Sequence, residues 1–198
     1  ISASGQDITL SETASTFGTI SVTGANVAIT EAAATELGAS TVSGTLGITS
    51  TGAITDSGTL AITGDATFTN SGGTDEAITL DDSGNVFTGS VTFATDSGSA
   101  VTIVDTTALD LVALSAASLN VTAGGAVTDS GTLAISGATT ISASGQDITL
   151  SDGSSTFGTL VLTGANVAVT EAAATDLGAS TVSGTLGVIS TGAVTDSG

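Results

Sequence analysis

The sequence predicts an all-β fold, a right-handed parallel β-helix, and three observations predict it. Residues 141–198 restate residues 1–58 with only 11 differences. Apolar and polar residues alternate with period 2 between short Gly-, Asn- and Asp-containing corners. The composition is dominated by residue types that suit strands, Val, Ile and Thr, and by those that suit turns, Gly, Ser, Asp and Asn.

The composition also removes whole classes of function. The 198 residues include no Lys, Arg, His, Cys, Met, Trp, Tyr or Pro, and 19 acidic residues give a net charge of −19. At 40% apolar, the chain carries enough hydrophobic surface to fold. Nucleic acids and anionic membranes are recognised through Lys and Arg, so neither is expected as a partner. No apolar run is long enough for a transmembrane helix, so no membrane insertion is expected in this segment. The absence of Cys removes disulfides and thiolate metal sites. There is no initiator Met and no signal peptide, so any targeting segment is expected to lie outside this stretch.

The substitutions between the two long copies keep the character of their positions. Ile20, Val22, Ile29, Ile48 and Ile54 become Leu160, Leu162, Val169, Val188 and Val194. Glu12 and Glu36 become Asp152 and Asp176. Inside the 140-residue period lies one of about 70. Phe17, Phe87 and Phe157 recur at that spacing, and "GAITDSGTLAITG" (residues 52–64) returns as "GAVTDSGTLAISG" (residues 125–137). Strand-like starts at Phe17, Leu37, Leu60, Val86, Leu109, Leu133 and Phe157 predict coils of about 23 residues, three per 70 and six per 140.

Each coil is read in the same way. "TISVTGANVAIT" sets Ile20, Val22, Val27 and Ile29 inward around a Gly-Ala-Asn corner; Leu60 and Ile62, then Val91 and Phe93, follow suit. "EAAATELGA" (residues 31–39) would suit a helical turn in isolation, but a helix would leave too little chain for the strands, so strand plus corner is expected. One coil cannot bury its own apolar face; stacked coils can. Eight to nine coils at about 4.8 Å make a rod of roughly 40 Å. The right hand follows from the usual crossover rule. The whole of residues 1–198 is expected to be one continuous solenoid segment, a window of a longer array or a filament unit whose ends meet copies, because bare solenoid ends pair with other chains.

The wording "STFGTISVTGANVAITEAAATELGASTVSGTLGITSTGAITDSGTLAITG" resembles the repeats of very large secreted bacterial proteins of the filamentous-haemagglutinin type. The resemblance implies export, an extracellular β-solenoid rod at a bacterial surface, and roles in adhesion, cell–cell contact or surface coats. This chain departs from better-known members in lacking basic residues altogether.

Catalysis is not expected. Without His, Cys, Lys, Arg or Tyr, the abundant Ser and Thr have no base to activate them. The adjacent acidic pairs, Asp75–Glu76 and Asp81–Asp82, read as solvated turns. Calcium is the one cofactor weighed. "TDSG" occurs four times and places Asp56, Asp96, Asp129 and Asp196 as candidate ligands, because stacked turns would form a carboxylate ladder that a divalent cation relieves. The competing reading is a plain turn, with Asp bonded to its own backbone and Gly at positive φ. Outward Thr pairs such as Thr67 and Thr69 would form hydroxyl arrays of the kind used on ice, but Ser, Ala and Gly interrupt the ranks. Ser21→Val161 and Thr49→Ile189 break the outward-polar rule; neutral drift to a β-favourable residue is the favoured reading, and an interface, were rods to associate laterally, is expected there first. The expected function is thus a stiff acidic shaft whose partners are copies of itself, end to end and side by side. The alternative is an adhesive module with calcium-dependent contacts, centred on the least regular stretch, residues 75–110.

Overall fold

The computed structural model describes all 198 residues, Ile1–Gly198. It contains no helix, and every strand pairing between coils is parallel. A ten-stranded sheet runs from Ile8–Leu10 to Leu186–Ser190, and a twelve-stranded sheet runs from Thr19–Ile20 to Val194–Asp196. A four-stranded sheet of short strands, Thr23–Gly24, Ser40–Val42, Leu60–Ile62 and Val86–Phe87, closes part of the third side. The fold is a parallel β-solenoid in which each strand is the template for its copy one coil on.

Coils are shorter than the 23 residues read from the sequence. Ile8 pairs with Val27 and Val27 with Leu46, both 19 apart; Leu109 pairs with Val127, 18 apart; the spacing reaches 25 where Ala61 pairs with Val86 and Ala66 with Val91. Seven steps along the ten-stranded sheet, not six, lead from Ile8 to Ile148. The 140-residue period therefore holds seven coils, and the 70-residue period holds three and a half.

That half coil changes the architecture. Through residue 94 a long strand of the ten-stranded sheet, such as Val27–Glu31, turns directly into a short strand of the twelve-stranded sheet, such as Thr35–Leu37. A corner and a third short strand then lead back. From Ala100–Asp105 onward the roles exchange. The long strand lies in the twelve-stranded sheet, the short partner Leu109–Leu111 lies in the ten-stranded sheet, and the extra strand, Leu114–Ala116, closes the other edge. The words shared by residues 52–64 and 125–137 consequently occupy different sheets: Ile54 is in the twelve-stranded one and Val127 in the ten-stranded one. Strand Val167–Glu171 restores the first arrangement.

Inward positions carry a single cluster of 40 buried apolar residues along the rod. The widest coil is filled by aromatics: Phe68 stacks on Phe93 of the next coil (5.8 Å) and meets Phe87 edge-on (6.1 Å). The segment 31–39 is strand, turn and strand, as expected: Val27–Glu31 ends there and Thr35–Leu37 begins after a three-residue turn. Phe17, expected to open a strand, lies outside one and is 38% exposed, whereas its copy Phe157 lies in a strand beside Ile135 and is buried. The TDSG glycines also differ from expectation. Positive φ occurs only at Gly5, Gly73 and Gly145. Gly58, Gly131 and Gly198 are glycine because a Cβ would strike the backbone of the preceding coil, at Ala39, Val112 and Ala179 respectively.

Candidate functional site

The densest side-chain chemistry lies at the corners, where one coil is fastened to the next. Strand Ile54–Asp56 ends in Asp56, whose carboxylate accepts hydrogen bonds from the N–H groups of Asp81 (2.9 Å) and Asp82 (3.3 Å) and from the Asn85 amide (2.5 Å), all in the following coil. The Thr59 hydroxyl donates to Asp82 (2.9 Å), and Leu60 N–H donates to Asn85 Oδ1 (2.7 Å). The same joint recurs on the other sheet. Asp129 accepts from the N–H groups of Ser151 (2.6 Å) and Asp152 (3.2 Å), Thr132 donates to Asp152 (3.2 Å), and Leu133 N–H donates to Ser155 Oγ (3.0 Å). A corner needs such side chains because the chain leaves the sheet there and its N–H groups lose their ladder partners. Asp82 and Asp152 accept from Gly84 and Ser154 N–H two residues on, so the self-bonded Asp turn expected of TDSG occurs in the corner above it instead.

A second set of acids is wholly internal. Glu31, Asp105 and Glu171, each about 1% exposed, end the three long strands that follow the recurring phenylalanines. Each accepts the backbone N–H of a phenylalanine in the preceding coil: Phe17, Phe87 (3.3 Å) and Phe157 (2.8 Å). Glu171 also accepts from the Thr175 hydroxyl (2.8 Å), and Asp105 from the N–H and hydroxyl of Thr107. Asp105 Oδ2 and Glu31 Oε2 have no partner. With no basic side chain available, hydrogen-bond donors alone offset burial of these carboxylates. Burial raises the pKa of Asp105 against the opposing bonds from Thr107 and Phe87, and burial likewise raises that of Asp56 against its bonds from Asn85, Asp81 and Asp82.

Exposed carboxylates are also bonded across coils. Asp7 accepts from the N–H and amide of Asn26, whose Oδ1 accepts from Thr45; Asp147, Asn166 and Thr185 repeat the column. Asp176 is half-buried, and bonds from Ser197, Thr159 and Thr195 lower its pKa.

The four Asp residues proposed for calcium do not form a ladder. Asp56 lies in the twelve-stranded sheet beside Leu37, and Asp129 in the ten-stranded sheet beside Leu111. The half-coil phase separates their turns, and their oxygens are occupied by N–H donors. Asp96 lies in the loop between Val91–Ala94 and Ala100–Asp105 with Oδ2 enclosed and unbonded, and Asp196 is exposed on the last strand. No group of three or more carboxylates gathers at any one point. Val161 and Ile189 likewise fall on different sheets and make no common patch, although Ile189 is 68% exposed. Thr67 and Thr69 face outward beside Thr92 and Ala94, so the hydroxyl rank is broken within one coil. Sequence reading missed Glu31, Asp105 and Glu171. The available signal was an acid at the end of each long apolar strand, 14 or 18 residues after a recurring Phe.

Repeats of unknown function (DUF5649) match residues 24–94, 98–163 and 164–198. The chain belongs to the DUF5649 family. No curated protein and no solved structure matches it. Each DUF5649 match begins just ahead of a long strand, Val27–Glu31, Ala100–Asp105 or Val167–Glu171, and these alternate between the two large sheets. A full DUF5649 repeat is thus the three-and-a-half-coil module, carrying one internal acid latched to a phenylalanine.

Proposed function

We propose that this DUF5649 chain is a shaft segment of an extracellular filament or stalk, part of a very large bacterial surface protein of the filamentous-haemagglutinin type its wording resembles. The observation that supports this is the continuity of the ten- and twelve-stranded parallel sheets from one end of the rod to the other, fastened at each corner by side chains of the adjacent coil. The work of such a segment is mechanical. Load along the rod axis is borne in parallel by backbone ladders and corner joints, and negative charge keeps neighbouring rods apart. No catalytic role is proposed. Force spectroscopy tests the reading: a shaft resists pulling with repeated peaks as successive coils peel away, and a chain that extends without resistance overturns it.

One observation favours a second reading, an adhesive module with calcium-dependent contacts. In the irregular stretch the Asp75 carboxylate lies where a Cβ on Gly98 would be, and Asp96 Oδ2 is buried without a donor. Binding to glycans or cells that chelator abolishes would support this reading; equal binding with and without calcium would exclude it.

A further inference from the structure

We infer that Asn120 is a glycosylation site, its side-chain amide taking a sugar from a diphosphate-activated donor. Residues 120–122 read Asn-Val-Thr, the acceptor triplet for N-linked sugars, and no other asparagine of the chain has Ser or Thr two positions on. The fold singles this asparagine out. The other four are fasteners between coils or within turns. Asn26 and Asn166 donate to Asp7 and Asp147 and accept from Thr45 and Thr185. Asn70 donates to the Gly52 carbonyl and accepts from Gly72 N–H, and Asn85 links Asp56 to Leu60 N–H. Asn120 fastens nothing. Its side chain stands exposed in the middle of strand Ser118–Ala123, whose backbone is paired on both sides, with Thr102 and Thr140 as lateral neighbours.

The repeat shows that the position needs no asparagine. Residues 119–131, LNVTAGGAVTDSG, restate residues 46–58, LGITSTGAITDSG, and residues 186–198, LGVISTGAVTDSG; Asn120 stands where those copies have Gly47 and Gly187. A Cβ at either glycine meets nothing closer than 3.9 Å, so the position is open outward. Asparagine is a poor strand former, and this one fills no gap and caps no corner. What it adds, with Thr122, is the triplet. The reaction is a displacement at the anomeric carbon. Asn120 Nδ2 bonds to C1 of the sugar as the C1–O bond to the diphosphate breaks; the diphosphate leaves with the bonding pair, and the transferase takes up one amide proton. The transferase has to enclose the amide and the Thr122 hydroxyl together. In the finished strand these groups stand about 7 Å apart along one face, with the backbone held between two neighbours. The sugar is therefore added before Ser118–Ala123 enters the sheet. It is carried afterwards without strain, because Asn120 and Thr122 both face solvent. A hydrated group there holds that face of the twelve-stranded sheet away from neighbouring rods.

The chain has no Lys or Arg, so a protease that cuts after acids takes the place of trypsin. Chain purified from its own cells, denatured and cut after Asp110 and Asp129, yields residues 111–129, in which Asn120 is the single asparagine. Mass spectrometry is expected to find this peptide heavier by a hexose or more, with fragment ions placing the sugar on Asn120. Made in the same cells, Asn120→Gln and Thr122→Ala are expected to lose the added mass entirely and Thr122→Ser to keep it, with circular dichroism unchanged in all three. An unmodified peptide, or a sugar on one of its Ser or Thr hydroxyls instead, would overturn the site. Unmodified chain from a host without such a transferase then separates the donors. It is offered, unfolded and folded, to soluble extract of those cells with a nucleotide-activated hexose and to their membranes with their own lipid-linked donor. Label on the unfolded chain in either fraction supports the site and names the donor; label in neither would overturn the reaction. Equal label on the folded chain would overturn addition before folding.

Discussion

Asp129 shows how much one side chain contributes to this rod. It is buried, and both its oxygens accept backbone N–H groups that have left the sheet. Asp129→Ala strands those donors and is expected to lower unfolding free energy by about 2–3 kcal/mol, read from chemical denaturation. Asp7→Ala removes an exposed acceptor from Asn26 and is expected to stay within about 0.5 kcal/mol. The glycines divide in the same way. Gly131→Ala drives a Cβ into the Val112 carbonyl, whereas Gly153→Ala meets open space. The first is expected to destabilise by about 3 kcal/mol and the second to be near neutral, and similar melting temperatures for the two would refute the close-packing account.

At the scale of the element, the strand is defined by what stacks on it. Phe68 lies between Ile48 below and Phe93 above, in the coil where spacing widens to 25 residues. Phe68→Ala opens a cavity that backbone ladders on both sides prevent from collapsing, with an expected loss of about 3–5 kcal/mol; Phe68→Leu should lose about 1.5 or less. The turn between long and short strands is the other defined element. There Glu31 and Glu171 hold the phenylalanine N–H of the preceding coil, and in the switched half Asp105 does so. Glu171→Gln keeps an acceptor oxygen for the Phe157 N–H and presents an amide that donates to the Thr175 hydroxyl, so its stability is expected to fall by less than half the loss seen for Glu171→Ala.

For the molecule as a whole the governing quantity is uncompensated negative charge. Asp56 and Asp105 have pKa values raised above the ordinary 3.8, so the folded state binds protons that the unfolded chain releases. Their penalty is present at neutral pH and disappears as pH falls through the raised values toward 3.8; repulsion among 19 acids eases over the same range. Melting temperature is therefore expected to rise as pH is lowered from 7 toward 4. Asp176 acts in the opposite sense: its lowered pKa stabilises the fold above 3.8, and that contribution is lost only as pH falls through the lowered value. A melting temperature that falls steadily from pH 7 to 4 would show that the buried carboxylates are better solvated than their surroundings imply.

The sequence by itself determined the parallel solenoid, the inward residues and the repeat of 140, because period-2 alternation and near-identity at fixed spacing are local signals that a pleated strand converts directly into burial: Val27, Ile29, Leu60 and Ile62 all lie inside. It also marked TDSG as corners. Only the tertiary structure decided the number of coils and the phase, since coil length varies from 17 to 25 and counting strand starts cannot tell a whole turn from a half turn. That phase, in turn, decided the chemistry of the acids. Asp56 and Asp129 resemble each other in wording but cap corners on different sheets, and Glu31 and Asp105 are internal because each takes the N–H of a phenylalanine 14 or 18 residues earlier, a partner the neighbouring residues do not name. A hydrogen bond across coils joins residues 14 to 29 apart, and which residues those are is set by how the coils stack.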